Sequence, residues 1–280
     1  MKAVLSILLG AVAFAAAEPV CAACQTPETF RYVQWNIGHF AMGKSHTTTV
    51  TPERSAARAA EYRAKIAAID ADFIGVCEYD PTFDTARTPT PDAVFAGYPT
   101  RVIGPKNSYQ SNAVFARREC LRYEVVDYTN RHQRCYFIDA VFKMGTNEVH
   151  VVQSHLDWNS NEKATDARPT QIRQLINRFR DVPYVIISAD FNVMGAGEYC
   201  PFLMAGYALA NCNRQVGVLE THPPSQSCPF LQRCLDNVVV KGFEVTDTRL
   251  DDVDYVLSDH RMVVCTLKML DPVKSAKPRR

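Results

Sequence analysis

The sequence predicts one α/β domain in which mixed β-sheets pack as a sandwich. Three observations lead there. Short runs rich in β-branched and aromatic residues recur along the 280 residues and read as strands. Two of these runs are joined to the next through a stretch of helical periodicity, the β-helix-β pattern of parallel neighbours. Between the two passages, strands follow one another too closely for crossovers and must pair antiparallel.

The elements come in order as follows. Arg31–Ile37 is the first strand and ends in Asn36. A polar loop leads to Thr51-Pro52-Glu53, an N-cap candidate with Pro in the first turn and an acid near the positive helix end. Ala59, Tyr62, Ile66 and Ile69 give that helix one apolar face. Asp72–Cys77 is a continuous apolar strand ending at Glu78. Strands then crowd together at Tyr98–Ile103, Asn112–Arg117, Arg122–Val126, Cys135–Phe142 and Glu148–His155. Pro169 opens a second helix with Ile172, Leu175, Ile176 and Phe179 at helical spacing. The strand from Tyr184 follows, then an irregular Cys- and Pro-rich stretch to Cys234. Three strands close the fold: Leu235–Val240, Phe243–Thr248 and Met262–Leu267. With no internal repeat and no linker, residues 28–270 form a single domain, followed by a basic tail at 271–280.

The first residues carry the marks of an export signal. Lys2 precedes an apolar stretch over Val4–Phe14 and small residues at Ala15–Ala17, so cleavage is expected after residue 17 or as late as 23. Lipid anchoring at Cys24 is not expected, because Cys21 stands where such signals take an aliphatic residue. The chain is therefore expected to be secreted or periplasmic, without stable membrane insertion, and to act as a monomer. Loss of residues 1–17 removes one lysine and takes the net charge from +1 to zero. A neutral chain exerts no global pull on nucleic acid or anionic lipid. Ten cysteines in an exported chain suggest disulfides, with Cys120–Cys135, Cys200–Cys212 and Cys228–Cys234 as candidate pairs. Cys77 and Cys265 lie in apolar strands and read as free core thiols.

The strand Tyr184–Ser188 breaks at Ala189-Asp190-Phe191-Asn192, which puts a carboxylate and an amide at its C-terminal end. Asp and Asn there are also ordinary turn formers. Gly38–Ser45 fits the phosphate-loop spacing GxxxxGK[ST], but that motif needs a helix opening at Lys44-Ser45, and helix signals start only at Thr51-Pro52. Polar groups also stand at other strand ends: Asn36, Glu78, His155 with Asp157, Asp236, and Asp259-His260. Carboxylates with an amide suit a hard divalent cation, Mg²⁺ or Mn²⁺. Two histidines can bind phosphate or handle protons near neutral pH. The spacing does not suggest zinc.

The order and wording of these groups resemble the endonuclease/exonuclease/phosphatase family, in the branch with a THLD-type stretch. The matching pieces are QWNIG at 34–38, GVCEYD at 75–80, SNAVFAR at 111–117, SHLDW at 154–158, SADFN at 188–192, LDNVVV at 235–240 and SDHRMV at 258–263. SHLD is followed by Arg168 and Gln171, as in that branch. The resemblance implies a four-layer αββα sandwich, two packed mixed sheets flanked by helices, with a site at one edge. It implies metal ligation by Glu78, Asn36 and Asp259. It assigns water activation to Asp190 and phosphate binding to Asn192 and His155. His155 also assists the leaving oxygen. His260 stabilises the phosphoryl group, oriented by Asp236, and Asp157 supports. Where the family most often has Gly, His or an aromatic, this chain has Ala189 and Asn237.

The implied chemistry is metal-assisted attack of water on a phosphoester. The ester is open: nucleic acid, a phospholipid headgroup or a small phosphate ester, with a nuclease slightly ahead of sphingomyelinase-like or inositol-phosphatase-like activity. Arg101, Lys106, Arg117 and Arg118 are candidate contacts for a nucleic-acid backbone, and Pro229-Phe230-Leu231 for a lipid surface. A non-catalytic secreted binding module on the same fold is the alternative from another class.

Overall fold

The structure, a computed structural model, describes residues 28–40, 52–79, 94–106, 111–129, 135–158, 167–193, 195–223, 233–252 and 257–271. The export signal, the loop Pro229-Phe230-Leu231, Cys228, Lys44-Ser45 and the tail beyond 271 lie outside the described residues.

The chain order is β1 (Thr29–Asn36), α1 (Pro52–Ile69), β2 (Phe73–Tyr79), β3 (Thr100–Ile103), β4 (Ser111–Ala116), β5 (Cys120–Asp127), β6 (Tyr136–Met144), β7 (Asn147–His155), α2 (Arg168–Arg178), β8 (Val185–Asp190), α3 (Cys200–Met204), β9 (Ala208–Leu209), β10 (Asp236–Lys241), β11 (Phe243–Asp251) and β12 (Met262–Met269). Both β-helix-β passages are parallel, β1 with β2 and β7 with β8, and the strands between them pair antiparallel. The sheet orders are β11-β12-β1-β2-β4-β3 and β5-β6-β7-β8-β10-β9. What the sequence stretch before Cys234 does not reveal is the short α3 and the two-residue β9, too brief to carry a period.

Three apolar clusters define four layers. Val33, Trp35, Ile74 and Val76 pack outward against Ala59, Tyr62, Ile66 and Ile69 of α1. Val185, Ile187 and Val152 pack outward against Ile172 and Leu175 near α2. Between the sheets lie Tyr32, Phe73, Phe142, Val151, Ile186, Val238 and Leu267. Because strand side chains alternate, one residue in two on β1, β2, β7, β8 and β10 points into this inner space.

The inner positions change character along each of these strands. Tyr32, Phe73, Val151, Ile186 and Val240 or Val238 are apolar core. One step further, Gln34, Gln153 and Ser188 are fully buried and polar. They satisfy one another: Tyr32 Oη and Ser188 Oγ are 2.6 Å apart, and Gln153 Nε2 donates to Gln34 Oε1 at 3.1 Å. Buried polar groups persist only when paired in this way. One step further again come Asn36, His155, Asp190 and Asp236.

Gly75 is the inner residue of β2 at the polar level. A Cβ there would stand 2.0 Å from Gln153 Oε1 and 2.5 Å from Ser188 Oγ. Gly75→Ala is therefore expected to cost about 1–3 kcal/mol of stability through overpacking. A urea titration checks this, with a lowered midpoint at unchanged slope; an unshifted midpoint refutes it.

The register corrects the Cys120–Cys135 disulfide expectation. Cys120 faces Phe142 while Asp127 faces Tyr136, so Cys135 lies beyond the far end of the β5–β6 hairpin. Seven residues of strand separate the two by about 20 Å, far outside disulfide reach. Cys200 is exposed at the start of α3, and the Cys212 thiol is hydrogen-bonded to Cys234 instead. Cys77 and Cys265 are buried free thiols, as the apolar strands suggest.

Candidate active site

The strand ends named in the sequence meet at one end of the inter-sheet space. β1, β2, β7 and β8 all finish there, and β10 starts there. Register places His155 beside Asp190 and Asp190 beside Asp236 on one sheet. Asn36 comes from the other sheet and closes the gap, its amide nitrogen donating to Asp190 Oδ2 at 3.0 Å and to Glu78 Oε1 at 3.1 Å. Its amide oxygen accepts from Gly38 N–H, which fixes which end of the amide faces the carboxylates.

Asp190 is the centre. Its Oδ1 accepts from Asn192 N–H at 2.9 Å, and its Oδ2 lies 3.5 Å from His155 Nε2 and 3.8 Å from His260 Nε2. The Asn192 side chain donates to Leu156 O, and its backbone sits at φ 52°. His260 Nδ1 is 2.7 Å from Asp236 Oδ2. Gln34 Nε2 donates to the other oxygen of Asp236 at 3.2 Å, extending the buried polar layer into the site. Ser258 Oγ donates to Asn36 O and accepts from His260 N–H, tying the turn that carries Asp259 and His260 to β1.

Glu78 sits where the β2–β4 register slips between Val76 and Tyr79. Its φ is 51°, a left-handed conformation unusual for Glu and characteristic of a bulge that re-aims a side chain. Among the described residues seven non-glycines have positive φ, and His39, Phe40, Glu78 and Asn192 stand at the ends of β1, β2 and β8. Such strain persists where surrounding contacts enforce it.

The charges are strongly biased. Burial alone would raise Asp190, but His155, His260, the Asn36 amide and the Asn192 N–H outweigh it and hold it below the usual carboxylate value. Burial would also raise Glu78, yet the His39 hydrogen bond and the nearby His155 and His260 hold it far lower. For His260 burial works downward, but Asp236, Asp190 and Asp259 outweigh it and push the imidazole up to about 10. Asp236 is raised, by burial first and then by Asp190. The site thus favours the charged form of Asp190 and Glu78 beside a protonated imidazole, a polarised arrangement suited to proton handling.

Asp259 stands apart from this buried group. It is 57% exposed, with Oδ1 3.4 Å from Ser258 Oγ. Asp157 is buried, and its N–H donates to Gln171 Oε1, which anchors the His155 segment on α2. Asn112 serves structure, bonding to both the hydroxyl and the carbonyl of Tyr136.

Sequence reasoning missed three residues. Gln34 was legible in principle, as a polar residue at an inward position of an apolar strand. His39 follows the end of β1 directly, and its Nε2 is 3.1 Å from Glu78 Oε2. His222 has no local signal, yet its ring packs edge-on against His260 with centroids 4.7 Å apart.

The structure moves three of the four basic candidates away from the site. Arg117 N–H bonds to Asp72 O, at the start of β2, and its guanidinium pairs with Asp70. Arg118 pairs with Glu28, and Arg101 lies opposite Phe115 with its Nε on Tyr98 O. All three belong to the opposite end of the sheet, because β4 runs away from Glu78.

The residues present fit a hard divalent cation. Glu78 and Asp190, bridged by the Asn36 amide, offer oxygen donors of the kind such an ion takes, and Asp259 stands on the turn that carries His260.

No family model matches the sequence, and no curated protein does. Solved structures do match its fold. An endonuclease/exonuclease/phosphatase from Beutenbergia cavernae DSM 12333 aligns with TM-score 0.67 at 19% identity, over 87% of this chain and 72% of that one. D. rerio TDP2 in complex with a single-strand DNA product aligns with TM-score 0.65 at 15% identity, covering 85% of this chain and 98% of its own. The human Nocturnin catalytic domain with bound sulfate aligns with TM-score 0.65 at 18% identity, over 86% and 94%. The chain thus shares the fold of the endonuclease/exonuclease/phosphatase proteins.

Proposed function

We propose that the protein is an exported, divalent-metal-dependent phosphoester hydrolase. The observation that carries this is the convergence on Asp190 of Asn36, His155 and His260, with Glu78 bridged through Asn36. A bound Mg²⁺ or Mn²⁺ supplies neutralisation of phosphoryl charge and a polarised oxygen. Glu78 would hold it, with Asp259 contributing and Asn36 setting the Glu78 and Asp190 carboxylates. Asp190, kept ionised, accepts a proton from the attacking water. His260, protonated and oriented by Asp236, donates to a phosphoryl oxygen. His155 faces the same space and serves the phosphate or the leaving oxygen, and the free N–H of the Asn192 amide binds phosphate.

Nucleic acid remains the leading ester, supported by the fold shared with a DNA-complexed structure. Arg101, Arg117 and Arg118 contribute nothing to that reading from the far end of the sheet. Export is supported by the leader at residues 1–17, and no helix among the described residues is long and apolar enough to cross a membrane.

The test offers purified chain with Mg²⁺ or Mn²⁺ to DNA, RNA, sphingomyelin, inositol phosphates and aryl phosphates. Turnover of at least one ester, abolished by EDTA and restored by added metal, is the expected result. Failure on every substrate, with ligand binding retained, favours the binding module. In an oxidising compartment the thiols in contact are the ones to cross-link. Peptide mapping after treatment with glutathione disulfide is expected to find Cys212 joined to Cys234, and an intact thiol at both positions refutes this.

A further inference from the structure

His222 has no part in the hydrolysis described above, yet it is held firmly beside it. Thr221 N–H donates to Arg233 O, Arg261 N–H donates to Thr221 O, and Asp236 N–H donates to Thr221 Oγ1. These bonds seat His222 between the start of β10 and the turn that carries Asp259 and His260.

Ligand atoms of His222, Asp259 and His260 all lie within 4.8 Å of one another. His222 Nε2 stands 3.9 Å from Asp259 Oδ2. That is too long for a hydrogen bond. It is the order of separation expected of two donors sharing one ion at about 2.0–2.2 Å from each. Both imidazoles have their other nitrogen engaged. His260 Nδ1 is on the Asp236 carboxylate at 2.7 Å, and His222 Nδ1 is 2.9 Å from the Pro223 carbonyl oxygen. A carbonyl oxygen can only accept and so favours a proton on Nδ1, whereas Arg233 Nη1, 2.9 Å from the same nitrogen, can only donate and favours the opposite tautomer. A carboxylate or carbonyl on the far nitrogen is the usual outer support of a metal-bound histidine. An ion on Nε2 would fix the proton on Nδ1 toward Pro223 O, with Arg233 Nη1, 3.4 Å from that same oxygen, donating there instead. Exposed Asp259 opens the cluster to solvent, the source of a fourth ligand.

We propose that His222 Nε2, Asp259 Oδ2 and His260 Nε2 form a binding site for a transition-metal dication such as Zn²⁺, and that its occupancy withdraws His260 from phosphoryl chemistry. Two imidazoles and one carboxylate suit Zn²⁺ or Co²⁺, whereas Mg²⁺ takes oxygen donors. The ion takes the place of the proton on His260 Nε2 and releases it to solvent. Binding at this site stands on its own geometry, and only the inhibitory consequence rests on the hydrolase reading.

The experiment titrates the purified chain with Co²⁺ and then Zn²⁺. One equivalent of Co²⁺ is expected to give the visible absorption of a four-coordinate ion, bleached by Zn²⁺. In competition with a chromophoric chelator, His222→Ala and Asp259→Asn should each weaken Zn²⁺ at least tenfold, with melting curves recorded to show that both variants fold. If only one folds, that one decides. Unchanged Zn²⁺ affinity overturns the proposal, as does loss of affinity in Asp190→Asn with none in His222→Ala, which would place the ion among Asp190, Asp236 and His260. Zn²⁺ should also inhibit the Mg²⁺-supported turnover, with the inhibitory concentration raised at least tenfold in His222→Ala relative to that variant's own uninhibited rate. If no ester is turned over, the hydrolase reading fails while the Co²⁺ spectrum still decides the site.

Discussion

Asp190→Asn is expected to lower kcat by about 10³-fold or more on whichever ester the protein cleaves. The substitution keeps the shape of the side chain and removes its charge and basicity. Loss of a positioned general base alone is worth on the order of 10²–10⁴-fold. Here the same carboxylate also faces His155 and His260 and receives the Asn36 amide. An asparagine cannot accept a proton from water, and its own NH₂ group competes with that of Asn36 for the same oxygen position. Single-turnover rates with Mg²⁺, alongside circular dichroism to show an intact fold, provide the measurement. Retention of the rate within tenfold would remove Asp190 from the chemistry and leave it a structural anion.

His260 yields the second large effect, on pH dependence as well as on rate. Its folded value is pushed up to about 10 from an ordinary 6.5. A raised value in the folded state means that folding favours the protonated form. The stabilisation is complete below about pH 6.5 and disappears as pH rises through about 10. Every tenfold gain in proton affinity on folding is worth about 1.4 kcal/mol, so the total is on the order of several kcal/mol. In EDTA, the melting temperature is expected to fall from pH 7 to pH 10. His260→Gln should flatten that slope and reduce turnover by about 10²–10⁴-fold. Other groups titrate in the same window, so the difference between parent and variant carries the result. Equal slopes in the two proteins would show that His260 gains no proton on folding.

Much of this site was legible in the sequence alone. Asp190 and Asn192, Glu78, His155 and the Asp259-His260 pair stand where an apolar run ends, and all are found at one end of the sandwich. The polar layer of Gln34, Gln153 and Ser188 was half legible. Each is a polar residue at an inward position of a buried strand, but nothing local says that they bond to one another. Cys120 with Cys135, and Arg101, Arg117 and Arg118, lie elsewhere than the sequence suggests for one reason. Closeness along the chain was taken for closeness in space, and an antiparallel register reverses that within a single hairpin. Cys120 and Cys135 sit near in sequence and far apart on β5 and β6. Arg117 and Arg118 follow β4 to the end of the sheet away from Glu78.

Local patterning is enough for the strands and helices, their alternation into inner and outer faces, and the residues that close each strand. These depend on periods of two and of about 3.6 residues, which neighbouring side chains write directly. Packing in three dimensions is what brings Asn36 from one sheet to Asp190 on the other, re-aims Glu78 at a bulge, and adds His39 and His222 to the site. Those outcomes depend on register between strands more than a hundred residues apart and on how two sheets face each other. Long-range packing sets both, and no local pattern encodes them.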